Sequence, residues 1–122
     1  MKDIIPDYEK ADIAAAVHAG GCAIYHACAH NLVHEKSLEM LQALYKQAVF
    51  ALQAKHAYEK GSYIAKKADL KAELLPKDRM ILEYGEVVKC THTMDVSELQ
   101  RYGDVLLGWA GDLIQAYDAD EM

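Results

Sequence analysis

Apolar residues recur every three or four positions along most of this chain, which is the spacing of one face of an α-helix. Ser37 is a natural N-cap for the clearest amphipathic segment, and Gly61 after Lys60 is a good C-terminal cap. The apolar stripe of this segment passes through Leu38, Leu41, Tyr45, Ala48 and Leu52. The pattern therefore predicts a long helix between Ser37 and about Lys60.

An earlier helix is predicted from about Asp7 to Asn31 or His34. Pro6 suits its first turn, whereas Gly20-Gly21 in its middle should weaken or bend it. This segment is apolar around most of its circumference, so we expect it either at the centre of a bundle or buried in a dimer.

Three further helices are predicted in the second half of the chain. A short one restarts at Ser62 and ends at Pro76, and another follows the proline. The sequence Asp95-Val-Ser-Glu98 resembles a capping box and begins the last helix. The apolar seam of that helix is Leu99, Tyr102, Leu106, Trp109 and Leu113. We predict one all-α domain over residues 1–122, an antiparallel bundle of four long helices and a shorter one.

Composition narrows the classes of function. The chain has 122 residues, 52% of them hydrophobic and 26% charged, as in a globular domain. Its net charge of −6 argues against a nucleic-acid partner. Histidines interrupt the apolar first helix, so we expect no membrane span. Three cysteines and no recognisable signal peptide favour reduced thiols in the cytoplasm.

The least ordinary feature is a ladder of metal-ligating residue types at every fourth position. Neighbouring rungs of this His/Cys ladder lie one above another on a helix and can chelate one ion, but the ladder's two ends cannot share a site. Its members are His18, Cys22, His26, His30 and His34. Each half-site would need ligands from a second helix or subunit, for which the Cys90/His92 pair is a better source than His56.

Three alternatives to metal binding remain open for the ladder. The histidines can simply be the water-facing side of an Ala-rich helix. Stacked imidazoles can also repel each other once charged near pH 6 and so make a pH-sensitive interface. Cys22 with His26 can form a catalytic pair, although no orienting third group is evident. Glu-x-x-His pairs are absent, and His34-Glu35-Lys-Ser-Leu38 lacks the second histidine of a zincin.

One segment of the chain is similar to part of a known family. The run from Leu44-Tyr45 through Leu75 resembles flagellar export chaperones in its Leu-Tyr start, its alanines at helical spacing and its Gly61-Ser-Tyr63 turn. That resemblance covers about a quarter of the chain, and we assign no family from it. HEPN bundles, which are nucleotide-binding or RNase-associated, share the same Gly-x-Tyr turn. Their Arg-x4–6-His signature is absent from this sequence.

These observations favour binding over catalysis. We expect a non-catalytic protein-interaction or chaperone/adaptor bundle that self-associates. A metal-binding bundle using the His/Cys ladder, with zinc, copper or nickel, is the alternative. No cofactor is expected beyond such a transition metal ion. Glycines in the last helix would allow another helix to approach closely. The predicted partner surface consists of Tyr102, Gly103, Gly108, Trp109 and Gly111.

Overall fold

The computed structural model describes residues 7–60 and 67–117, with side chains from Asp12 and Asp69 onward in the two ranges. Within them there are five α-helices, one π-helical turn and no strand. The elements are α1 (Asp7–His30), the π turn (Asn31–Glu35), α2 (Leu38–Lys60), α3 (Lys67–Glu73), α4 (Pro76–Lys89) and α5 (Val96–Ala116). The predicted all-α bundle is confirmed. The interpretations of Pro6, Gly61 and Ser62 fall outside the described residues.

The four long helices pack in the cyclic order α1, α2, α4, α5, each antiparallel to the next. α1 contacts α2 and α5, and α2 also contacts α4. Early in α2, Tyr45 packs on Gly85 late in α4, whereas later in α2, Lys55 meets Asp78 at the start of α4. Short connections between successive helices make this arrangement the simplest one available.

Gly20 and Gly21 do not interrupt α1, which is continuous from Asp7 to His30. A Cβ on Gly21 would lie 3.3 Å from Cγ1 of Ile114, so this glycine faces α5 at close range. A Cβ on Gly20 would meet nothing within 4 Å. Packing on α2 and α5 therefore holds the helix together despite the low helix propensity of two glycines.

A buried asparagine organises the turn between α1 and α2. Asn31 is fully buried, and its side chain accepts a bond from Ser37 N–H at 2.9 Å and donates to Ser37 C=O at 3.1 Å. Lys36 takes the left-handed conformation, with φ of 49°, and reverses the chain. Ser37 Oγ then accepts the N–H of Met40 at 3.2 Å, which confirms the predicted N-cap.

The N-cap of α5 is also confirmed, because Asp95 Oδ1 accepts the N–H of Glu98 at 2.8 Å. This bond is the main reason that the pKa of Asp95 is lowered. The predicted seam of α5 is buried in full and faces the centre of the bundle. At that centre the hydroxyl of the buried Tyr45 donates to the carbonyl of Tyr102 at 2.7 Å, tying α2 to α5. None of the described helices is long and apolar enough to cross a membrane.

Candidate functional site

Four members of the His/Cys ladder lie on the continuous α1 and His34 lies in the π turn, and the five separate into two pairs and one single residue. Cys22 Sγ lies 3.9 Å from His18 Nδ1, and both side chains are half-buried. The rings of His30 and His34 have centroids 4.9 Å apart and are exposed. His26, also exposed, packs edge-on against Tyr25 with centroids 6.1 Å apart.

No group of three or more His, Cys, Asp or Glu side chains able to hold a metal occurs among the described residues. The Cys90/His92 pair, expected to complete a site, lies exposed at and beyond the end of α4 and joins no such group. His56, the other source of a ligand considered from the sequence, is buried, and its Nδ1 has no hydrogen-bond partner in the part of the chain that is described. Among the side chains that the structure describes, each ladder pair is thus at most half of a metal site.

The π turn places the second exposed histidine over the first. It closes i→i+5 hydrogen bonds, as in Lys36 N–H to Asn31 C=O, and so holds more residues per turn than an α-helix. A four-residue step therefore falls slightly short of a full turn, whereas in an α-helix it overshoots by about 40°. Glu35, in the same turn, brings its Oε1 to 3.2 Å from Nε2 of His30. The result is an exposed imidazole pair with a carboxylate beside it.

The predicted partner surface on α5 is mostly internal. Tyr102, Gly103 and Trp109 are buried within the chain, and Gly103 packs directly on Leu32 of the π turn. Tyr25 of α1 covers the half-buried Gly111, whose Cβ would lie 3.5 Å from the ring. Of the three glycines on this surface, Gly108 is the one at which an added Cβ would meet open space. Gly103 and Gly111 thus serve close packing against the π turn and α1, which corrects the expectation that they are free for a partner, whereas Gly108 is exposed.

Trp109 belongs to a buried polar network that the sequence does not reveal. Its indole N–H donates to Oδ1 of Asp78 at 2.9 Å, and Lys55 Nζ donates to Oδ2 at 2.7 Å. Asp78 is 6% exposed, so α2, α4 and α5 meet on one desolvated carboxylate. With Leu75 and Pro76 the three residues also line a cleft of about 600 Å³. Asp78 follows Pro76 by two positions, which in sequence resembles an ordinary first-turn acid.

A second concavity lies between α2 and α4. This α2/α4 groove has a volume of about 490 Å³. It is lined by Gln42, Ala43, Tyr45, Lys46, Val49, Phe50, Gln53, Gly85 and Lys89. Along α2 the lining runs from Gln42 to Gln53, a distance of about 16 Å at 1.5 Å per residue. Sequence reasoning missed it, although Phe50, beside the buried stripe, is an exposed aromatic that signals such a surface.

The buried cysteine is structural. Cys28 is fully buried in the α1–α5 contact, and its Sγ donates to the Gly103 carbonyl at 3.3 Å. Burial, and secondarily the charge of Asp104, raises the pKa of the Cys28 thiol to about 11. A thiol with that pKa stays protonated at neutral pH and is a poor nucleophile. In Cys22, the thiol approaches His18 rather than the His26 of the hypothetical catalytic pair.

Comparisons with known proteins supply no further assignment. The chain matches no protein-family model, no curated protein and no solved structure. The turn shared with flagellar export chaperones, Gly61-Ser-Tyr63, also lies outside the described residues. The surface features that bear on function are the α2/α4 groove and the exposed histidine pair.

Proposed function

We propose that this chain is a non-catalytic protein-binding module that holds an amphipathic helix of a partner in the α2/α4 groove. The observation behind the proposal is Phe50, the chain's one phenylalanine, which is 60% exposed at the edge of that groove. A large aromatic side chain left in water is costly unless another surface covers it. Covering Phe50 with a partner's apolar residues removes that cost and makes it an anchor for binding.

The shape of the groove favours a helix as its occupant. The apolar floor consists of Tyr45, Val49 and Gly85, and the missing side chain of Gly85 leaves space above the Tyr45 ring. Its length of about 16 Å corresponds to about three helical turns. An amphipathic helix places apolar residues at i, i+3, i+4 and i+7 over such a length. A compact small molecule would cover only part of it.

Charge specifies the partner further. Lys46 and Lys89 stand on opposite walls of the groove, one from α2 and one from α4. None of the described residues that line the groove is acidic, although the chain as a whole has a net charge of −6. The groove is thus a basic site on an acidic protein. It suits a helix whose apolar stripe is flanked by Asp or Glu, because such flanks complement the two lysines.

We also propose that the protein works in a reducing compartment such as the cytoplasm. Cys22, Cys28 and Cys90 are all free. Cys90 is exposed, so an oxidising environment would modify it readily.

A designed peptide tests the proposal. The probe is a fluorescent 15-residue amphipathic helix with leucines at i, i+3, i+4 and i+7 and glutamates flanking them. A matched peptide carries lysine at each glutamate position. Fluorescence anisotropy measures both affinities. We expect the acidic peptide to bind at least tenfold more tightly than the basic one, and Phe50→Ala to weaken its binding at least tenfold.

Two further variants distinguish binding in the groove from non-specific binding of the peptide. Lys46→Glu with Lys89→Glu should reverse the preference between the two peptides. Val87→Ala is the matched control, because Val87 is an exposed apolar residue of α4 that does not line the groove. If Phe50→Ala and Val87→Ala bind the acidic peptide equally well, the α2/α4 groove is not the binding site.

A further inference from the structure

We infer that His30 and His34 form one half of a zinc site, which the same pair from a second copy of the chain completes. This inference concerns a different surface from the α2/α4 groove and does not depend on the proposed function. Zinc is the probe ion because four-coordinate zinc accepts imidazole nitrogens at 2.0–2.1 Å and has no preferred geometry of its own to satisfy.

The two imidazoles are already close enough to share an ion. Their ring centroids are 4.9 Å apart and the rings are tilted by 41° to each other. The His30 side chain is 57% exposed, and His34 is exposed as well, so neither must leave the core to bind. Glu35 Oε1, 3.2 Å from Nε2 of His30, places a negative charge beside the pair and favours a bound cation.

The described residues of one chain do not close the coordination sphere. A structural zinc site has four protein ligands, and the described residues contain no cluster of three. His26, the next histidine along α1, precedes His34 by eight residues, which corresponds to about 12 Å along a helix axis. His26 and His34 therefore cannot bind the same ion. A second copy related by a two-fold axis supplies an identical pair, and two pairs give four imidazoles.

His18 and Cys22 form the competing pair in the same helix. Their side chains are half-buried on the flank of α1, with Sγ and Nδ1 3.9 Å apart. A second copy reaches a half-buried pair less easily than an exposed one. His18→Ala is therefore the matched control for His30→Ala, since it removes an imidazole from the same helix, and Cys22→Ser tests the other member of the competing pair.

The experiment uses the tag-free chain, stripped with a chelator and then titrated with zinc sulfate alone. Sedimentation equilibrium gives the mass, and elemental analysis after dialysis gives the zinc content. We expect zinc to convert the 13.6 kDa chain to a species of twice that mass with one zinc per two chains. His30→Ala and His34→Ala should each weaken zinc-dependent dimerisation at least tenfold, whereas His18→Ala and Cys22→Ser should leave it unchanged.

Several results would overturn the inference. The first two are that the chain retains no zinc, or that it binds one zinc per chain without forming a dimer. The other two are that the double variant His30→Ala with His34→Ala still dimerises, or that Cys22→Ser abolishes dimerisation. Circular dichroism checks that each variant is folded. We expect the histidine variants to fold normally because both side chains are exposed. Peptide binding in the groove is measured separately, so the two proposals can fail independently.

Discussion

A methyl group added at Gly103 tests how closely α5 and the α1–α2 turn approach each other. The Cβ of an alanine at this position would overlap Cδ2 of Leu32 and would lie 3.1 Å from its Cγ and 3.2 Å from its Cδ1. Leu32 is itself 7% exposed, so it has little free space into which to move. Gly108, five residues later on α5, would place its Cβ in open space. The two glycines therefore form a matched pair within one helix.

Opposing effects determine the expected magnitude. Replacing a helical glycine by alanine stabilises the fold by about 1 kcal/mol, which Gly108→Ala should show in full. At Gly103 that gain is offset by overpacking, which costs about 1–3 kcal/mol in a close-packed core. Rotating Cδ2 away leaves Cγ and Cδ1 too close, so the cost should lie in the upper part of that range. We expect Gly103→Ala to destabilise by about 1–2 kcal/mol net.

Urea denaturation followed by circular dichroism measures both variants, provided that the slope m is unchanged. The two should differ by about 2–3 kcal/mol, or about 8–12 °C in Tm for a domain of this size. A double-mutant cycle identifies the cause: in a Leu32→Ala background, Gly103→Ala should no longer destabilise. If Gly103→Ala is as stable as Gly108→Ala, the close packing of α5 on Leu32 is refuted.

Three further predictions concern the buried Asp78 and the cysteine thiols. Asp78→Ala leaves Lys55 and the Trp109 N–H without their buried partner, and we expect a loss of about 3–5 kcal/mol in urea denaturation; a loss below 1 kcal/mol would mean that water replaces the carboxylate. Because folding raises the pKa of Cys28 from 9.0 to about 11, the native thiol keeps a proton that the unfolded chain releases. Stability should therefore fall as pH rises between about 9 and 11, and less steeply in Cys28→Ala; equal slopes would exclude this cause. Ellman's reagent at pH 8 should label the exposed Cys90 rapidly and Cys28 only after unfolding, and rapid labelling of Cys28 in the folded chain would contradict its burial.

The fold class follows from features that act within a few residues of each other. Stripes of apolar residues at three- and four-residue spacing predict the long helices, and the cap residues Ser37 and Asp95 mark where two of them begin. The apolar seam of α5 was predicted residue by residue and is buried as expected. The backbone hydrogen bonds of a helix join residues four positions apart and its buried face recurs with the helical period, so the sequence alone predicts it.

The candidate sites depend on which surfaces face each other, and no local pattern encodes that. Sequence analysis predicted a partner surface that includes Gly103, Gly108 and Gly111, but only packing shows that Gly103 contacts Leu32 of the π turn and Gly111 contacts Tyr25 of α1. The Trp109–Asp78 hydrogen bond joins residues 31 positions apart, and the α2/α4 groove is lined by residues of two helices that are distant in sequence.

The His/Cys ladder depends partly on the local sequence pattern and partly on tertiary packing. Its four-residue spacing is written in the sequence, and an unbroken α1 preserves the alignment. That Cys22 lies beside His18, and that a π turn stacks His34 over His30, depends on rotamers and on the burial of Asn31. Sequence by itself determined which side chains share a helical face; the tertiary structure decided which of them meet, because contacts between helices depend on register, burial and the neighbours that other segments bring.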